Sequence, residues 1–415
     1  MGRRNACILL LLFYAASCIF SASVERTRLD GGFDGVASLS HFDFSHGEGL
    51  DDTYLDDVTI SLVVQDPGKE VYVWFGHAGL MVQTPQGDVM YDWGVFSFGP
   101  SFYTDFLFGR LYYRVTSSWA DTAILKGIGE DRTVKVLDIP LDNAAKAATI
   151  DFVNLNTRPE NRTYLYHYYL DNCATRIRDI IDAETGGAFS AWASSIDTGM
   201  SFRDFSTLYM KRSWPVAFTL NYLQGPSIDE DITLYDACFL PDVLIDAVAT
   251  YFDEEPTTIY QGGERQVGHM HLVGTSLLVG IIIAVLLYSL AHTNRRAYGL
   301  LSMFVYLYFT AISSVLLFMM LFTDHDVTWC NENIIMLNPL VVIPLIQSIV
   351  IVFRPKTGLG ATRAVFRILL TLALASLTLK GLFPTLFIQE NLYVYAMILP
   401  TYVAMSVFKE RDRHV

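Results

Sequence analysis

Charge is scarce in this sequence. Only 17% of its 415 residues are Asp, Glu, Lys or Arg, while 52% are hydrophobic. That balance is too apolar for an ordinary soluble chain of this size. Basic residues are the scarcer kind: 29 Lys and Arg stand against 43 Asp and Glu, a net charge of −14. The basic face that nucleic-acid binding needs is therefore missing. Cysteine is sparse too, with five in all, of which Cys7 and Cys18 fall in the N-terminal apolar stretch. Cys173, Cys238 and Cys330 remain. An odd number in an exported chain argues against a disulfide framework and leaves at least one free thiol. Neither GxGxxG nor HExxH occurs, and no internal repeat is visible. No metal or other cofactor is expected.

What is present divides along the chain. Residues 1–23 read as an export signal: Arg3 and Arg4, the apolar "ACILLLLFYAASCIF", then the small residues "SAS". "AASC" at Cys18 is only a loose lipobox, since an apolar "IF" follows it. Residues 24–57 form an acidic, extended lead-in. His41, Asp43 and His46 within it are either metal ligands or, more plainly, parts of a solvated loop. Residues 58–267 read as a mixed domain. "VTISLVVQ", "VYVWFGHAGLMVQ", "VMYDWGVFSF" and "TVKVLDIPL" are strand-like, and "DPGKE" and "TPQGD" are turns. "SFYTDFLFG" and "DNAAKAATIDFVNLNT" have helical spacing.

Residues 268–410 hold about five expected spans, at 272–291, 298–322, 334–353, 368–387 and 389–408. Arg295 and Arg296, then Arg354, Lys356, Arg363 and Arg367, then Lys409, Arg411 and Arg413, occupy alternate loops and the tail. The loop "TDHDVTWCNEN" carries only acids. By the positive-inside rule the basic loops are cytoplasmic and the 58–267 domain lies outside. Lys380 is expected to snorkel from the outer end of the fourth span.

The stretch "YLYHYYLDNCATRIRDIID" puts Cys173 where a helix begins. Asp171 or Asn172 is a suitable N-cap, and Ala174, Ile177, Ile180 and Ile181 share one apolar face. A helix N-terminus favours the thiolate, and its first N–H groups suit an oxyanion hole. The plainer reading of Cys173 is a buried small hydrophobe. A thiol nucleophile needs a base. His77, in "FGHAGLMV", has small neighbours that leave room for a substrate; otherwise it is a half-buried strand histidine. His167 competes from within the aromatic run. Asp92, on the next strand, is placed to orient the imidazole, or is a strand-edge aspartate.

A histidine strand, a polar residue on the next strand, and much later Asn-Cys opening a helix together resemble the circularly permuted papain-like (NlpC-type) arrangement. Lecithin:retinol acyltransferase shares that order. More closely, "DPGKEVYVWFGHAGLMV", "VMYDWGVFSFGPSFYTDFLFGRLYY", "YLDNCATRIRDII", "DITLYDACFLPDVL" and "HDVTWCNENIIMLNPL" resemble the Lnb-type bacterial lipoprotein N-acyltransferases. Met81 and Cys330 depart from that pattern.

The resemblance implies an α+β, permuted papain-like extracytoplasmic domain followed by an all-α bundle of about five transmembrane helices. It implies Cys173 as nucleophile, His77 as base and Asp92 as orienting group. Asn172 and Arg176 match the motif around the cysteine and are candidate substrate-binding residues. Arg176 either pairs with a phosphate or is a solvent-facing helix arginine. His325, with Asn331 and Asn333, either closes the site from the membrane side or caps the third span. The implied donor is a phospholipid and the implied acceptor a diacylated lipoprotein, at the outer face of a bacterial inner membrane. A cell-wall cysteine peptidase or amidase uses the same dyad. In a non-enzymatic membrane receptor or assembly factor, Cys173 would only pack.

Overall fold

The computed structural model describes residues 52–96, 102–263 and 265–409. The export signal, His41, Asp43, His46, Arg411 and Arg413 lie outside the described residues. The chain forms two compact units. The mixed unit runs up to Arg212 and from Glu230 to Gly268; the helical unit holds Ser213–Asp229 and the chain from His269.

The mixed unit is α+β, as expected. Its main sheet comprises β1 (Thr59–Gln65), β2 (His77–Thr84), β3 (Gly87–Val95), β4 (Tyr112–Trp119), β5 (Val134–Ile139), β6 (Thr163–Leu165) and β9 (Thr257–Tyr260). The order is β6-β4-β3-β2-β1-β5-β9, with every pair antiparallel. A separate ribbon pairs β7 (Asp197–Ser201) with β8 (Asp231–Thr233). The run "ISLVV" in β1 is apolar on both sides because both faces are covered. Ile60, Leu62 and Val64 face one core; Val63 faces a smaller one with Met81, Met90, Ala120 and Val134. Met81, one of the two departures from the family pattern, thus fills a core position.

The helices of this unit are α1 (Phe102–Leu107), α2 (Ala120–Gly129), α3 (Asn143–Asn156) and α4 (Cys173–Glu184), with a further long one over Pro241–Phe252. The Asp142 side chain caps α3 through the Ala145 N–H. The expected apolar face of α4 is present: Ala174, Ile177, Ile180 and Ile181 are all buried against the main core. Burying an isoleucine side chain is worth about 1.5–3 kcal/mol, so this stripe fixes the helix on the sheet.

The sequence places residues 213–229 in the mixed domain, but they pack in the helical unit. The helix α5 (Trp214–Leu223) buries Phe218 and Tyr222 in the same core as the apolar helices. The Tyr222 hydroxyl donates to the Leu337 carbonyl, and the Gly225 N–H donates to Val327. A ten-residue helix this apolar has no polar face to offer water.

The helical unit continues with α6 (Leu272–Thr293), α7 (Arg295–Phe322), the span Asn333–Phe353, α8 (Gly360–Leu382) and α9 (Leu392–Ser406). The first four are long and apolar enough to cross a membrane. The last has 15 residues, shorter than the roughly 20 a straight crossing takes. α8 begins well before the expected 368 and takes in Arg363 and Arg367.

Lys380, expected to snorkel, is engaged by groups of the protein itself. Its ammonium lies 2.9 Å from Glu332 Oε2 and donates to the carbonyls of Phe387 and Gln389.

Candidate active site

β2 starts at His77 rather than at Val71, where the apolar run begins. Gly76 has φ +79°, a left-handed turn that delivers the histidine as the strand's first residue. In the β2–β3 ladder Gly79 faces Asp92, so His77 and Asp92 are diagonal neighbours on one face. His77 Nε2 lies 2.9 Å from Asp92 Oδ1. A Cβ at Gly79 would stand 3.0 Å from that same Oδ1. The glycine therefore gives the carboxylate room to lean across to the ring. The sequence reading assigned the small residues to substrate access; this glycine instead makes room for the third group.

Cys173 opens α4 at its N-terminus. The His77 imidazole and the Ala78 backbone amide lie close enough to the sulfur to act on its charge. With Nε2 engaged by Asp92, Nδ1 is the nitrogen left for the thiol. Burial alone would push the thiol up. The imidazolium charge, its hydrogen bond and the Ala78 amide outweigh that and bring Cys173 below the ordinary thiol value. Burial likewise works against a charged His77, but the Cys173 thiolate and the Asp92 carboxylate hold it up at about 10. Both shifts favour the thiolate–imidazolium form of the pair. His77 is 28% exposed, so the pair is reachable from outside.

The other candidates fare differently. Asn172, rather than Asp171, caps the helix: Oδ1 accepts from the N–H groups of Ala174 and Thr175 at 2.8 and 3.0 Å. Its Nδ2 donates to the carbonyls of Tyr168 and Phe239. Every polar atom of that side chain is occupied, which corrects its assignment to substrate. Arg176 is 3% exposed. It forms a two-point pair with Asp171 and lies 4.2 Å over the Tyr164 ring. It is neither solvent-facing nor open to a phosphate, because its guanidinium is consumed inside the fold. His167 Nδ1 accepts from the N–H groups of Tyr169 and Leu170, so this ring holds a turn and does not act as base. His325 belongs to the helical unit and is buried there. The amides of Asn331 and Asn333 both donate to the Tyr222 carbonyl, tying α5 in place.

Sequence reasoning gave Gly79 another role and missed two contributors, the Ala78 amide and Gly94. Gly94 has φ +83°, and a Cβ there would stand 3.9 Å from Cys173 Cβ. A glycine inside a strand pattern was the available signal, since it marks a close approach. Among the described residues no cluster of His, Cys, Asp and Glu is fit to hold a metal ion.

Comparison with known proteins bears on both units. No curated protein and no solved structure matches the chain. Residues 49–206 match the model of the Lnb N-terminal periplasmic domain, and residues 271–409 match that of the Lnb transmembrane domain. Both parts of one family are present in order, so the chain belongs to the Lnb family of membrane proteins with an N-terminal periplasmic domain.

Proposed function

We propose that the protein is a cysteine-dependent lipoprotein N-acyltransferase of a bacterial inner membrane, with the mixed unit on the periplasmic face. The observation that carries this is the Cys173–His77–Asp92 arrangement at a helix N-terminus, in a chain with membrane-capable helices. The thiolate attacks an ester carbonyl of a phospholipid. The tetrahedral adduct collapses, the C–O bond breaks, and His77 gives its proton to the departing lyso-lipid oxygen. A thioester remains on Cys173. The unprotonated α-amino group of a diacylated lipoprotein then attacks the thioester. His77 takes the excess proton from nitrogen, the C–S bond breaks, and thiolate and imidazolium are restored with the new amide. Asp92 keeps the ring oriented and stabilises its positive charge.

Membrane helices suit this chemistry because both donor and acceptor have their chains in the bilayer. The experiment is Cys173→Ala in a strain lacking its own N-acyltransferase. Wild type restores N-acylated lipoprotein termini and carries a hydroxylamine-sensitive acyl adduct; the variant does neither. N-acylation that persists in the variant overturns the assignment. Hydrolysis of cell-wall peptides without acyl transfer by wild type overturns it in favour of a peptidase.

A further inference from the structure

A row of aromatic rings runs from the nucleophile to the surface of the mixed unit. It begins at Tyr166, which borders the bare backbone of Gly94 together with Cys173. A Cβ on that glycine would stand 3.7 Å from Tyr166 Cε2 and 3.9 Å from Cys173 Cβ. From Tyr166 the row passes to Tyr113, with ring centroids 4.5 Å apart, then to Phe96 at 5.1 Å, Phe102 at 5.5 Å and Phe106 at 6.1 Å. Neighbouring rings lie within 18–31° of parallel, so the row is continuous.

The sheet builds the inner half. Val95 pairs with Arg114, so Phe96 comes opposite Tyr113; Tyr113 pairs with Tyr164, and Tyr166 follows two residues on. The outer half is one turn of α1, where Phe102 and Phe106 are four apart and share a face. A row that only packed the fold would end buried. This one opens outward: Tyr166, Tyr113, Phe96 and Phe102 are half-buried, and Phe106 is 45% exposed. Cys173 at the inner end is half-buried as well. Contiguous exposed apolar surface marks a binding site, and continuity with the nucleophile says what binds.

We propose that this row is the acyl-chain subsite. The fatty chain of the ester that Cys173 attacks, and of the thioester that remains, lies along Tyr166, Tyr113, Phe96, Phe102 and Phe106. This rests on Cys173 being the acylated nucleophile. The shape selects the occupant. A chain of methylenes needs apolar contact along its length and no polar partner. An extended peptide needs a row of backbone hydrogen bonds, which ring carbons do not supply. The rings hold one another in place, so little side-chain freedom is lost when the chain settles on them. The row therefore sets chain-length preference: a long chain meets all five rings, and a short one meets only the inner ones.

The test uses the solubilised full chain and 4-nitrophenyl esters of hexanoic and hexadecanoic acid, presented in detergent mixed micelles at one mole fraction. Nitrophenolate release reports acylation, and the readout is the hexadecanoyl-to-hexanoyl rate ratio. Any general damage to the nucleophile cancels in that ratio. Wild type favours hexadecanoyl. Phe102→Ala combined with Phe106→Ala lowers the ratio about tenfold, as when about two methylenes lose their cover. If the double variant does not fold, the surface change Phe106→Ala alone decides, with a fall of about fourfold, one methylene's worth. Leu125→Ala, an equally exposed apolar side chain away from the row, is the control and leaves the ratio unchanged. A ratio within about twofold of wild type overturns the proposal, even where both rates fall together; α1 is then a membrane contact or a folding element. A wild type with no preference for the longer chain overturns it too. The outcome is separable from the function proposed above. A wild type that takes acyl groups from the nitrophenyl esters but not from phospholipid sinks that function and leaves the subsite standing. Lipoprotein N-acylation by wild type with an unchanged ratio in the variants sinks the subsite alone.

Discussion

Cys173 and Cys238 show how position sets the behaviour of a thiol. Both are in the mixed unit and both pack against its main core. Burial pushes Cys238 up to about 12, and no cation offsets it enough to matter. Burial also pushes Cys173 up, but it faces His77 and the Ala78 amide, and is lowered. Native protein at pH 7 should therefore be alkylated at Cys173 and not at Cys238, which reacts only after denaturation. The signs fix a pH window. As pH falls through the lowered thiol pKa, Cys173 regains its proton and reactivity drops. As pH rises through about 10, His77 loses its proton, and with it the charge that steadies the thiolate and the acid that serves the leaving oxygen. His77→Ala leaves only the Ala78 amide to oppose burial. Its alkylation rate at pH 7 should fall by about tenfold or more, with the midpoint displaced to higher pH. An unchanged midpoint, read by mass spectrometry across pH 5–10, would show that the imidazole does not set the thiol's state.

At the scale of elements, α4 is the part read most fully from sequence. Its apolar stripe, its start and its cysteine follow from helical spacing and a capping asparagine. Strands β1, β3 and β5 also follow from short apolar, β-prone runs bounded by turn residues. Asp92 is reachable because the β2–β3 turn is short enough to set a register. What pattern cannot supply is how side chains are spent. Asn172 and Arg176 stand in the motif, yet their polar atoms are consumed by the cap and by Asp171. Burial and partnership decide that, and neither is encoded in spacing. The packing of α5 is missed for a related reason: a short apolar helix looks the same whichever core receives it. The cap yields a quantitative expectation. Asn172→Ala removes the acceptor for two N–H groups and the donor for the carbonyls of Tyr168 and Phe239. It should cost about 1 kcal/mol for the cap and a further 1–3 kcal/mol for the orphaned carbonyls. Chemical denaturation of the purified chain measures this. A loss under about 0.5 kcal/mol would mean the cap is not what holds the first turn of α4.

At the scale of the whole molecule, the helical unit is closed at one end by a polar knot. Glu332 is 1% exposed, and its Oε2 meets Lys380 Nζ at 2.9 Å. The Glu332 N–H donates to Gln389 Oε1, and the Gln389 N–H donates back to Glu332 Oε1. Gln389 Nε2 then reaches the Gln224 carbonyl and Asn331 Oδ1, so three distant stretches of chain are fastened together. The loop after α7, the loop after α8 and the segment following α5 are those stretches. A buried pair of this kind offers little net stability over apolar residues of the same shape, but breaking it leaves a charge with no water to receive it. Lys380→Met should therefore destabilise the protein by about 3–5 kcal/mol, seen as a lower melting temperature in detergent. Adding Glu332→Gln to that variant removes the stranded charge while keeping an amide for the same partners, so most of the loss should return. If the double variant melts no higher than the single one, the cost lies in Lys380's two carbonyl contacts. The knot would then be a neutral hydrogen-bond clasp with no essential ion pair.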